Sequence, residues 1–172
     1  MQGDGHARRA ARRDRSRARR GLRDERRRGA ERRARRLIAA FRHRLRVRYS
    51  ECDAQKVVFN GHYLFYFDVA VTELWREAIG PYDESMAELG VDIVVAEASV
   101  RYCRPLRFDE EFDLVVTIPR FGTTSMITAI ACERDGEVRA EGELRQVFVR
   151  YGTAEKIPIP DPIRTALEPY AA

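Results

Sequence analysis

Cysteine is scarce in this chain: three residues in 172, Cys52, Cys103 and Cys132, an odd number at irregular spacing. No Cys-x-x-Cys pair or Cys/His cluster marks a zinc site, and three thiols are too few for a disulfide framework. A reducing cytoplasm is the simplest setting. Long apolar runs are missing too; none approaches the ~20 residues of a membrane span. The N-terminus lacks the apolar core of a secretory signal. Residues 1–44 contain no Lys, and no Phe, Tyr or Trp precedes Phe41. Outside that segment the one histidine is His62. Beside scattered acids it makes no ligand set, so neither a metal nor another cofactor is expected.

Arginine is abundant, and it is concentrated. Residues 1–44 hold 18 Arg against 5 acids, a net +13. The whole chain carries +5, so +5 less +13 leaves −8 for residues 45–172. A basic arm precedes an acidic body. The arm has no core-forming apolar pattern, and high like charge with few apolar residues predicts disorder. Clustered Arg also suits a polyanion, through counterion release, or a membrane surface. The arm has no aromatic side chain before Phe41 on which bases would stack, so nucleic acid is not the expected partner. The predicted organisation is an extension over 1–44 and one domain over 45–172, long enough to bury a core.

Within the body, "LRVRYS" places Leu45, Val47 and Tyr49 on one face and Arg46, Arg48 and Ser50 on the other, the period-2 pattern of a strand. A polar loop over 51–60 follows. "GHYLFYFDVAVTELWREAIG", 61–80, is long enough for a helix of about five turns. Its first half is apolar nearly all round, with Asp68 the exception, which predicts a buried helix. Gly80-Pro81 is a stop signal, and 81–90 reads as a linker. Four strand-like runs follow, over 91–108, 110–121, 125–134 and 137–151. Asp135-Gly136 is a hairpin dipeptide between the last two. A Pro-rich tail with a short last turn of helix closes the chain. No βαβ repeat occurs, so the expectation is α+β: one long helix wrapped by a curled antiparallel sheet. One sheet layer cannot close around so apolar a helix, which predicts a homodimer or homotetramer.

The stretch "RYSECDAQKVVFNGHYLFYFDVAVTELWREAIG" resembles the start of hotdog-fold acyl-CoA thioesterases of the 4-hydroxybenzoyl-CoA thioesterase type. Their signature is a short strand, Asp-x-x-Gly-Val-Val-[Tyr/Phe], a polar residue and a long helix. "LRFDEEFDLVVTIPRFGTTS" and "RDGEVRAEGELRQVFV" with "PIPDPIR" resemble the later strands, turn and tail, so the likeness covers roughly 44–168. It departs at Lys56, where many relatives have Gly.

The resemblance implies hydrolysis of an acyl-CoA thioester, with no cofactor. It implies that Asp53 is the catalytic carboxylate and that Asn60 offers its backbone N–H to the thioester carbonyl. A helix N-terminus, with unpaired N–H groups and partial positive charge, suits a developing oxyanion. Asp53 then either attacks the carbonyl to form a mixed anhydride or draws a proton from water; the sequence does not separate the two. His62 is an alternative, since some relatives are hydratases or dehydratases that use a His. Glu73 is another, since some thioesterases carry the essential carboxylate on this helix. Val58, Phe59 and Tyr63 fall at the substrate side of the motif, and Thr123, Thr124 and Ser125 are candidates for bonding the pantetheine amides. Cys52 reads as a small packing residue. A hotdog domain that binds an acyl ligand or scaffolds an oligomer without catalysis is the contrasting class, because fold alone does not imply activity.

Overall fold

The computed structural model describes residues 40–172, so the disorder expected of the Arg-rich arm concerns residues outside those described, up to 39. Strand β1, Phe41–Arg46, starts four residues ahead of the boundary expected at Leu45. Arg42, Arg44 and Arg46 conceal it in the sequence, because three charges in six residues read as arm. In the fold they point outward, and β1 pairs antiparallel with Glu111–Phe121 so that Arg44 faces Asp113 and Arg46 faces Glu111. Each makes an ion pair with the acid opposite, the favourable cross-strand arrangement. The strand then ends sooner than "LRVRYS" suggests. Val47 is buried, but Tyr49 lies exposed in a single 3₁₀ turn, Tyr49–Glu51.

Helix α1, His62–Ile79, follows the loop. Its 18 residues span about 27 Å at 1.5 Å per residue. The expectation of one long helix needs amending, because the described residues hold three α-helices. The presumed linker holds α2, Tyr82–Leu89. Pro81 precedes it, Met86 is its one buried side chain, and Gly90 ends it at φ 66°, a left-handed cap that glycine takes without cost. So short a helix with one buried residue leaves no periodic trace. The tail folds into α3, Asp161–Leu167, burying Ile163 and Leu167.

The other strands are β2, Val91–Tyr102; β3, Glu111–Phe121; β4, Ser125–Arg134; and β5, Glu137–Arg150. They match the four runs read from the sequence, except that the first stops at Tyr102 ahead of Arg104-Pro105. The sheet is antiparallel in the order β1-β3-β4-β5-β2. Asp135 and Gly136 both have positive φ, 53° and 76°, as a two-residue hairpin loop requires. Irregularities at Val95/Glu97, Thr117/Arg120 and Cys132/Glu133 bend the strands and curl the sheet.

Helix α1 packs on the sheet through Tyr63, Tyr66, Phe67, Ala70, Val71, Leu74 and Trp75, all buried. It is not buried all round: Leu64 and Phe65 are exposed. Phe67 is fully enclosed, and Gly142 on β5 makes room for its ring; a Cβ there would stand 2.7 Å from Phe67 Cε2 and 1.9 Å from the Ser99 carbonyl oxygen. Burying such a ring contributes about 1.5–3 kcal/mol. Gly142→Ala would force the strand or the helix to shift, at a cost of about 1–3 kcal/mol.

Candidate active site

Between the 3₁₀ turn and α1 the chain makes a tight polar loop. Asp53 N–H donates to the Val57 carbonyl and Lys56 N–H to the Asp53 carbonyl, both at 2.9 Å. The Asp53 side chain joins in: its Oδ1 accepts from the Gln55 amide at 2.8 Å, an Asx-type turn. Its Oδ2 makes no hydrogen bond among the described residues. The carboxylate is therefore oriented by one oxygen while the other stays available. Lys56 adopts φ 62°, the left-handed conformation for which Gly is the usual residue. The chain keeps the geometry of a Gly loop and carries the strain of a side chain there.

The end of the loop is fastened from three directions. Phe59 N–H donates to the Glu51 carbonyl and Val58 N–H to the Leu106 carbonyl, each at 2.9 Å. Tyr102, the last residue of β2, donates its phenol to the Asn60 carbonyl at 3.0 Å. The Asn60 amide makes no hydrogen bond among the described residues, and it lies at the N-terminus of α1, where the partial charge is positive.

These groups share one cleft of about 630 Å³, whose lining includes Asp53, Val58, Phe59, Asn60, Tyr63, Tyr102 and Arg104. The sequence points to the first five. Nothing in it distinguishes Tyr102 from any other strand aromatic or Arg104 from the other arginines of the body. Tyr63 is buried at the cleft floor, its hydroxyl accepting from the Leu106 amide. Burial pushes this phenol up to about 12, so it is a neutral wall at physiological pH. Burial, with Glu51 and Asp53 nearby, also raises the Cys52 thiol, which opposes thiolate chemistry beside the loop.

The other candidates lie elsewhere. His62 faces a second, larger cleft of about 910 Å³, which it lines with Glu51, Phe65, Tyr66, Asp68 and Phe108 among others. There Glu51 Oε2 accepts from the Tyr66 hydroxyl at 2.6 Å and the Arg48 amide at 2.8 Å. Glu73 stands eleven residues beyond His62, about 16 Å along the helix. It is bonded to Arg76, which holds its carboxyl below the usual range. Thr123, Thr124 and Ser125 form the β3–β4 turn. Their carbonyls accept from Ile159, Phe148 and Gly122. Ser125 pairs with Val147 of β5, whereas Tyr102 pairs with Ala140. The seven-position offset along β5 puts this turn about 23 Å from the Asp53 cleft within one chain. Among the described residues no group of three His, Cys, Asp or Glu side chains is placed to hold a metal ion.

The arrangement can position a carbonyl. Among the described residues, a helix-start N–H without an acceptor and a carboxylate with one unbonded oxygen share the cleft, a pair of groups suited to a polarised carbonyl. Comparison with known proteins places the chain in a family. Residues 47–167 match the model of the thioesterase-like superfamily. A putative esterase of Aquifex aeolicus is 26% identical over 118 residues, 69% of this chain and 91% of the relative. The acyl-CoA thioester hydrolase YbgC of Escherichia coli O157:H7 is 32% identical over 87 residues, 51% of this chain and 64% of the relative. Among solved structures, a gentisyl-coenzyme A thioesterase superposes with a TM-score of 0.66 at 23% identity, over 74% of this chain and 99% of the other. With this sheet, this loop-to-helix junction and a family match across most of the body, the chain belongs to the thioesterase-like superfamily, a group of thioester hydrolases.

Proposed function

We propose that the protein hydrolyses an acyl-CoA thioester to the free acid and CoA, with Asp53 as the reacting carboxylate. The observation that carries this reading is the pairing, in one cleft, of a half-buried Asp53 whose Oδ2 is unbonded and an Asn60 amide without an acceptor, both among the described residues. The thioester oxygen sits on the Asn60 N–H, where the helix start stabilises the charge that develops on attack. Asp53 then acts in one of two ways. As nucleophile it adds to the carbonyl carbon, expels the CoA thiolate and leaves a mixed anhydride that water cleaves. As general base it takes a proton from the water that attacks. Val58, Phe59 and Tyr63 provide the apolar wall beside the acyl carbon.

The functional unit in this reading is a homo-oligomer built on β2. That strand is an edge of the sheet, with Val94 and Val95 47% and 54% exposed. An unpaired apolar edge invites a second strand, and two-fold symmetry makes the pairing antiparallel. Pairing of this kind runs the Val94 end of one β2 alongside the Tyr102 end of the other. It carries the partner's Thr123–Ser125 turn toward the Asp53 cleft and gives those residues a route to the pantetheine arm. The same reading sets the enzyme in the cytoplasm, where acyl-CoA is made and used.

The test is thiol release from a panel of aliphatic and aromatic acyl-CoAs, beside equilibrium binding of the same compounds. Turnover of at least one, abolished in Asp53→Asn, supports the reading. Tight binding of acyl-CoA with no turnover of any would instead make the protein a binding domain.

A further inference from the structure

The Asn60 amide is usable only if the turn that carries it is held still, and that turn lies outside the helix. It is exposed, and its two flanking residues take the regular bonds: Phe59 N–H to the Glu51 carbonyl and His62 N–H to the Phe59 carbonyl, both 2.9 Å. The Asn60 carbonyl has two donors. One is the Tyr63 amide at 3.4 Å, long for an N–H···O bond. The other is the Tyr102 phenol at 3.0 Å. Tyr102 comes from the free edge of the sheet, is 53% exposed, and stands edge-on to the Tyr63 ring at 5.3 Å.

We propose that Tyr102 is a positioning residue, whose hydroxyl clamps the turn that presents the Asn60 amide to the substrate carbonyl. A hydrogen bond this exposed adds little to folding stability, because water replaces it readily. Its consequence lies in aim. Freed of the phenol, the Asn60 carbonyl keeps only the long Tyr63 bond, so the turn loosens on the C-terminal side of the Asn60 amide, whose own peptide is held through the Phe59 carbonyl by His62 N–H at 2.9 Å, and an oxyanion donor works only when it is preorganised. The clamp also couples the site to assembly. Tyr102 is the last residue of the edge strand, so pairing of that edge with a second copy steadies the residue that steadies the amide.

This inference rests on Asn60 being the oxyanion donor, and the experiment separates the two. Acyl-CoA hydrolysis is measured for the full-length wild type, Asp53→Asn, Tyr102→Phe, Tyr102→Gln and Tyr102→Leu. Tyr102→Phe is expected to lower kcat about tenfold with KM within twofold and no change in unfolding midpoint. Amide hydrogen exchange over residues 59–63 should quicken while that of β5 stays the same. Tyr102→Gln, which keeps a donor but not the ring, should retain more kcat than Tyr102→Leu, which keeps neither. A Tyr102→Phe enzyme with wild-type kcat, a loss falling wholly on KM, or Leu outperforming Gln would overturn the clamp while Asp53→Asn remains inactive. An active Asp53→Asn enzyme would instead remove the reading beneath it.

Discussion

Two carboxylates two residues apart, Glu51 and Asp53, open onto two different clefts. The larger cleft contains Glu51 and His62, the smaller Asp53 and the Asn60 amide. By volume or by histidine, the larger one would be preferred. Bonding separates them differently. Glu51 is engaged by the Tyr66 phenol and the Arg48 amide, and its backbone carbonyl holds Phe59. Asp53 spends one oxygen on its own loop and keeps the other unbonded among the described residues. A carboxylate committed to structure is poorly placed to take a proton or attack a carbonyl, so the smaller cleft is the better reaction site. The difference is between an acid that builds the loop and an acid the loop presents.

That contrast can be broken in graded steps. Asp53→Ala removes both charge and turn bond and should be the most damaging, with kcat down by roughly two to four decades. Loss of the Asp53–Gln55 bond should also lower stability by about 1 kcal/mol, read as a small fall in the urea midpoint. Tyr66→Phe strips Glu51 of its phenol in a buried setting. It should cost about 1.5–3 kcal/mol, yet reduce kcat by less than tenfold, since Glu51 acts through the loop's position. His62→Ala, in the larger cleft, should leave kcat within threefold. A hundredfold loss there would move the chemistry to the wrong side of the helix for this account. Lys56→Gly should raise stability by about 0.5–1 kcal/mol by relieving the left-handed strain, visible as a higher melting temperature with activity retained.

The clefts also share a weakness. Tyr63 lines one and Tyr66 the other, and burial raises both phenols above their ordinary value of 10, Tyr63 to about 12. In the unfolded chain a tyrosine ionises near 10. Above that pH the unfolded state sheds protons that the folded state keeps, so stability falls with rising pH. The unfolding midpoint should decline between pH 10 and about 12, and Tyr63→Phe should make the decline shallower.

Most of the sheet was legible from the sequence because its strands carry alternating apolar residues and one unambiguous hairpin at Asp135-Gly136. Helix α1 was legible from length and the Gly80-Pro81 stop. What escaped was set by tertiary partners. Strand β1 hides three arginines whose acids, Asp113 and Glu111 among them, lie about 70 residues away. Helix α2 is held by one buried methionine and a glycine cap, too little for a pattern. At the site, Asp53 and Asn60 could be named because a motif joins them along seven residues. Tyr102 could not, since its bond to Asn60 spans 42 positions and an edge-strand tyrosine looks like any other. Glu73 and His62 both stood as alternatives in the sequence; only the fold shows Glu73 tied to Arg76 and His62 in a separate cleft.

The most direct test sets Asp53→Asn beside Glu73→Gln in the same acyl-CoA assay. Each removes one charge and keeps the shape, so neither needs a change of fold. The account predicts that Asp53→Asn lowers kcat by roughly two to four decades, with an unfolding midpoint close to wild type, while Glu73→Gln stays within threefold. An Asp53→Asn enzyme within threefold of wild type, with Glu73→Gln inactive, would contradict it. The reacting carboxylate would then lie on the helix, and the Asp53 loop would serve only to aim Asn60.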